Sequence, residues 1–171
     1  MIDETTWSTL RRLFSAAFVS SLHVSLASID RDGSPMVTPL GSLLLGEPGH
    51  AFYFELYASG LGRRLAANPQ VSLLAVDSGR PLWLRALVSG HFGRIPAVRL
   101  HGEAAPAARA STEDERARLR RRFGLLRKLP GGRLLWPGVD GPQSHTIPVR
   151  DIRIGRVEAL RLGPLTVDPG A

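Results

Sequence analysis

The segment "AFYFELYASGLGRRLAANPQVSLL", residues 51–74, sets two apolar runs on either side of a short passage of glycine and arginine. "AFYFEL" reads as one strand of aromatic and aliphatic residues, and "VSLLAVD" (71–77) reads as the next. Between them Leu61 and Leu65 stand one helical turn apart, and Asn68-Pro69 closes the short helix they define. Gly60-x-Gly62 opens like a dinucleotide fingerprint, but Leu65 stands where its third glycine belongs, so a Rossmann loop is rejected. Ser59 is expected to cap the helix and leave backbone N–H groups and a positive dipole end beside it. Arg63 and Arg64 follow one turn later, pointing toward the same place or into solvent. Two readings stay open: an anion site, or a plain connector between strands.

Working outward, residues 3–18 read as an amphipathic helix, capped by Asp3 or Thr5, with Trp7, Leu10, Phe14, Ala17 and Phe18 on one face. Leu22–Ile29 and Met36–Leu45 read as a hairpin around "DRDGSP", and Pro39 argues for an edge position or a bulge. "LWLRALVSGHF" (82–92) is expected to be a fifth strand and "AVRLHGEAAP" a sixth. Ser111-Thr112 followed by Asp114 and Glu115 forms a capping-box pattern ahead of a helix over about 112–128, weakened in its middle by Gly124. A Gly/Pro-rich loop from 130 leads to a last strand beginning at Thr146, the two together spanning 130–162. The expectation is a single domain over 1–171: the N-terminal helix 3–18, a barrel of about 22–108, the helix and the C-terminal loop and strand. Its fold class is mainly β, an antiparallel barrel or sandwich of six to seven strands with flanking helices.

Composition narrows the chemistry. With 171 residues, 43% hydrophobic and 22% charged, the chain is long enough for a sizeable core. It has no cysteine, which excludes disulfides, Cys-ligated metals and thiol nucleophiles. No histidine pair has the i, i+4 spacing of a helical zinc motif, and no Gly-x-Ser-x-Gly elbow or Gly-Lys-Ser/Thr loop occurs. No signal-peptide pattern and no apolar run of about 18 residues is present, so no membrane partner and a cytoplasmic location are expected. The net charge is +7, and residues 109–133 hold nine of the 22 basic groups against three acids. Arginine outnumbers lysine 21 to 1, a compositional habit, so this run reads as a solvated helix face and nucleic acid is not expected as a partner.

Taken in order along the chain, the leading helix, "LASIDRDGSPMVTPLG", "AFYFELYASGLGRRLAANPQVSLL" and "VRLHGEA" resemble the pyridoxamine 5'-phosphate oxidase-like family. The resemblance covers Leu22 to Ala105, about half of the chain. It rests on Asp32-Gly33-x-Pro35, the Ser59–Leu65 run to Asn68-Pro69, Val71-Ser72-Leu73 and Arg99-x-x-Gly102-x-Ala104. It implies an FMN-binding split β-barrel and a homodimer with flavin mononucleotide in clefts between subunits. It also implies a small-molecule substrate and oxidoreductase activity, with a deazaflavin as a variant cofactor. By the same resemblance Val37, Thr38, Pro39 and Leu40 would line the flavin ring, Ser59 would lie near the phosphate and Arg99 would make a neighbouring polar contact. Arg63 and Arg64 would hold the phosphate, and Trp136 in the later loop would help close the cleft. The sequence departs from the family where a basic pair follows the serine, having Gly60 and Leu61, and where Glu55 replaces a threonine. Glu55 would either oppose the phosphate or pair with Arg63 and Arg64. The alternative reading is a non-catalytic split-barrel dimer that has lost its flavin and binds another small ligand or serves a structural role.

Overall fold

The computed structural model describes residues 2–56, 60–124, 126–128 and 147–160. Helix α1 (Glu4–Ser21) starts at Asp3, whose carboxylate accepts from the Thr6 N–H at 2.9 Å, and ends at Leu22 in the left-handed region (φ 63°). Its buried face is Trp7, Leu10, Leu13, Phe14, Ala17 and Phe18, and the Trp7 indole donates to the Gly46 carbonyl.

Among the described residues eight strands form one antiparallel sheet: β1 (Val24–Ile29), β2 (Pro35–Leu40), β3 (Leu43–Leu45), β4 (His50–Phe54), β5 (Gln70–Val76), β6 (Ala97–Ala104), β7 (Arg109–Ala110) and β8 (Pro148–Leu160). Their order is β2-β1-β5-β6-β8-β4-β3, with β7 also paired to β8, and the curled sheet with its helices is a split β-barrel. The expected second strand is broken at Gly41-Ser42, so β2 pairs with β1 and β3 with β4. Strand β2 lies at one edge, where Pro39 sits opposite Ser25 and no further strand needs the N–H that proline lacks.

The core has two parts. Val24, Leu26, Leu73, Leu100 and Tyr53 fill the inside of the curl beneath α1 and the short helix α2 (Leu61–Ala67). On the other face of β4, Phe52 and Phe54 join Val149 under Leu119 and Phe123 of α4 (Glu113–Phe123). Strand β4 is therefore buried on both faces, which is why "AFYFEL" is apolar without alternation.

Two sequence expectations are corrected. "LWLRALVSGHF" is not a strand: Arg80–Ser89 form helix α3, with a proline in its first turn and Gly90 left-handed at its end. It buries only Ala86 and leaves Leu84, Leu87 and Val88 exposed, so no amphipathic period marked it. The capping box holds, with Thr112 and Glu115 bonded reciprocally, but α4 ends at Phe123. Gly124 is its C-terminal cap and Leu126–Lys128 form a separate 3₁₀ turn. Among the described residues no helix is long and apolar enough to cross a membrane.

Candidate functional site

The open corner of the sheet lies where the β1–β2 turn faces α2. Gly33 (φ 86°) lets that turn close, and the Asp32 carboxylate accepts from the Ser34 N–H. Across from it the residue that caps α2 is Gly60, at φ 87°, with no side-chain cap. The expectation that Ser59 is the cap is thus corrected, and Ser59 itself lies outside the described residues. Gly60 is required for its backbone conformation.

Both arginines of the following turn fold back over it. A Cβ built on Gly60 would lie 3.3 Å from Nη1 of Arg64 and 4.0 Å from Nη2 of Arg63. Arg64 reaches further to β1 and β2, donating from Nε to the Ser28 hydroxyl at 3.4 Å and from Nη2 to the Thr38 hydroxyl at 3.3 Å. Asp30, Arg31, Gly60, Arg63 and Arg64 enclose a cleft of about 220 Å³. Three guanidiniums face one carboxylate there, so an anion is the ligand the field favours. Of the residues expected to meet a flavin, Thr38, Arg63 and Arg64 are brought together.

The others are distributed by strand alternation. Leu40 is buried in the core, whereas Val37 and Pro39 are exposed on the outer face. Arg99 on β6 is three strands from β2, in the row Pro39, Ser25, Leu74, Arg99, and so on the face opposite Thr38. There it shares Glu158 of β8 with His101, at 3.3 Å and 3.0 Å. The His101 hydrogen bond first, and the arginines around it, hold the Glu158 carboxyl below its ordinary range. This trio was not visible in the sequence, because its members meet only through the β6–β8 register.

Glu55 has a partner that sequence reasoning missed. Arg150 of β8 donates from Nε to Oε1 of Glu55 at 2.6 Å and from Nη1 to the Ala105 carbonyl at 2.8 Å. Arg150 is 5% exposed, and the Tyr53 hydroxyl donates to the same Glu55 oxygen at 3.3 Å. Burial first, then the Glu55 charge, pushes the Tyr53 phenol well above its ordinary range. Gly62 packs against this ion pair: a Cβ there would come within 3.0 Å of Nη2 of Arg150 and 3.3 Å of Oε1 of Glu55. The two glycines that mimic a fingerprint therefore have separate duties, one a left-handed cap and the other a close approach.

The basic run is only partly a solvated face. Arg116 and Arg120 pair with Glu113, which they hold down to about 2. Arg118 instead donates to the Leu45 carbonyl, and the Arg122 guanidinium lies 4.0 Å from the Phe18 ring centroid. Trp136 lies outside the described residues. Among those described, no group of three or more His, Asp or Glu is placed to hold a metal ion.

Comparison with known proteins bears on the family and the fold. The family model described as "Pyridoxamine 5'-phosphate oxidase" matches residues 14–152. No curated protein matches the chain. Among solved structures, HupZ of group A Streptococcus is similar at 17% identity, covering 95% of this chain and 97% of that one, with a TM-score of 0.55. An FMN-binding protein from Syntrophomonas wolfei subsp. wolfei is 11% identical over 92% and 94%, with a TM-score of 0.54. An F420 reductase is 14% identical over 86% and 97%, with a TM-score of 0.53. At these identities the likeness is one of fold.

Proposed function

The chain belongs to the pyridoxamine 5'-phosphate oxidase family, and from that premise we propose that it is an FMN-binding oxidoreductase acting as a homodimer on a small molecule. The observation that carries the proposal is the convergence of Arg63 and Arg64 over Gly60 beside the Thr38 hydroxyl. In this reading the two guanidiniums hold the phosphate through charge-assisted hydrogen bonds. The β2 backbone from Val37 to Leu40 borders the ring. A bound flavin supplies the hydride-transfer chemistry, and the protein contributes placement and electrostatics.

Glu55 fits this proposal better than the sequence suggested. Its carboxylate is engaged by Arg150, so the pair is locally neutral rather than a bare negative charge beside a phosphate. The exposed β2 edge with Val37, 66% exposed, supports a partner subunit covering that face. A deazaflavin is the variant of this reading, the F420 reductase having the same fold.

One observation favours the second reading, a non-catalytic dimer without flavin. Leu61 is fully buried and Gly60 is tied to its positive φ, so neither position can carry the family's cation. Titration with FMN and with riboflavin, followed by flavin fluorescence and melting temperature, separates the two. FMN is expected to bind and stabilise, and riboflavin to bind more weakly for lack of the phosphate. Arg63→Ala and Arg64→Ala should each weaken FMN by about tenfold or more, as expected for loss of a hydrogen bond to a charged group, and leave riboflavin unchanged. Absence of binding by FMN and by a deazaflavin alike supports the second reading, and unchanged FMN affinity in both variants moves the phosphate elsewhere.

A further inference from the structure

A second basic cavity lies away from the α2 corner, between α1, β3 and α4. It encloses about 410 Å³ and is lined by Arg11, Arg118, Arg121 and Arg122, with Phe14, Leu44 and Leu45 as its apolar wall. No acidic side chain lines it among the described residues.

The four arginines differ in how they are used. Arg11 is bound to Glu4 and to the Gly46 carbonyl, at 2.9 and 2.7 Å. Arg118 donates to the Leu45 carbonyl at 2.5 Å, and Arg121 is exposed at the rim. Arg122 is the exception: its Nε and Nη2 are buried, and neither has a hydrogen-bond partner among the described residues. Burial, with Arg118 nearby, pushes its pKa down to about 10, so it still carries its charge at neutral pH. Nε and Nη2 lie on one edge of the planar guanidinium, the edge that receives both oxygens of a carboxylate in a fork. Stacking on Phe18 fixes the plane of that edge.

We propose that this cavity binds an organic acid, its carboxylate taken side-on by the Nε–Nη2 edge of Arg122 and its apolar body resting on Phe14, Leu44 and Leu45. A carboxylate suits the site better than a phosphate, because one two-donor edge is open while Arg11 and Arg118 already spend donors on carbonyls. The site is independent of the flavin reading: it shares no residue with the α2 cleft.

Benzoate is the probe, titrated calorimetrically and by melting temperature, with sodium chloride and phosphate at matched ionic strength as controls. Benzoate is expected to bind saturably and stabilise the wild-type chain, and any stabilisation by phosphate, which the α2 cleft would also take, to be the same in Arg122→Met as in wild type. Arg122→Met, apolar and of similar length, should weaken benzoate by about tenfold or more, with the ligand-free melting temperature equal to or above wild type. Arg121→Ala, at the exposed rim, should weaken benzoate several-fold with the ligand-free melting temperature unmoved. No saturable benzoate binding, equal benzoate binding by the Arg122→Met variant, or a phosphate response that falls along with benzoate's in Arg122→Met would overturn the proposal. So would a marked loss of ligand-free stability in Arg122→Met, since that shows the guanidinium already matched by an acid of the chain itself.

Discussion

Arg150 and Arg122 each take guanidinium nitrogens out of water, yet one is met by an acid and a carbonyl and the other is not. Arg150 has Glu55, the Ala105 carbonyl and a glycine that makes room for it, and so ties β8 to the ends of β4 and β6, with the start of α2 packed on the pair. Arg122 has an aromatic face beneath it and two buried donors without acceptors among the described residues. The same residue type thus serves in one place as an internal tie and in the other as an open valence. A buried cation stabilises only through what meets it, and without a partner it costs stability in the ligand-free protein.

The largest test of this contrast is Arg150→Ala. It strands Glu55 and frees the Ala105 carbonyl, and should cost about 3–5 kcal/mol, read as a lower urea midpoint. A loss under 1 kcal/mol would reduce the two arginines to the same class. Gly62→Ala attacks the same tie by crowding. Its methyl group meets Nη2 of Arg150 at 3.0 Å, and the expected cost is about 1–3 kcal/mol. If Gly62→Ala is harmless while Arg150→Ala is not, the pair has room to shift and the glycine is not needed for it. The smallest effect concerns the helix that carries Arg122. Burial alone would raise the Glu115 carboxyl, but hydrogen bonds from Arg109 and the Thr112 N–H outweigh it and hold it below its ordinary 4.5. Its folded value being lower than its unfolded one, its contribution is complete above 4.5 and fades as the pH falls below that. Helical circular dichroism taken downward through pH 4.5 should show α4 loosening, and Glu115→Gln should show a lower but flatter profile. Identical profiles would detach Glu115 from the seating of the helix.

Much of the frame was legible because it is local or periodic. The Asp3 cap, the five apolar positions named on α1, the Thr112–Glu115 box and the edge placement of Pro39 each follow from residues within a few positions of one another. The ordered motifs gave the family for the same reason. Helix α3 was misread because its apolar residues face outward, leaving Pro81 and Gly90 as its only marks. The partner of Glu55 was out of reach altogether: Arg150 stands 95 positions away and meets it only once β8 has paired with β4. Charge signs at the site could be read in advance, but which charge cancels which could not.

Strand β8 has one more consequence, for the order in which the molecule can be made. It pairs with β6 and β7 along one edge and with β4 along the other, and it follows all of them in the chain. During synthesis the β3–β4 hairpin and the β1–β2–β5–β6 half of the sheet emerge as two separate pieces, each with an unpaired edge. Phe52 and Phe54 then wait without Val149 beside them until residues 148–160 arrive. Such long-range closure slows folding and lengthens the time that sticky strands stand open to other chains. For a nascent chain of this protein, the interval between residues 104 and 148 is the one in which a chaperone has most to shelter.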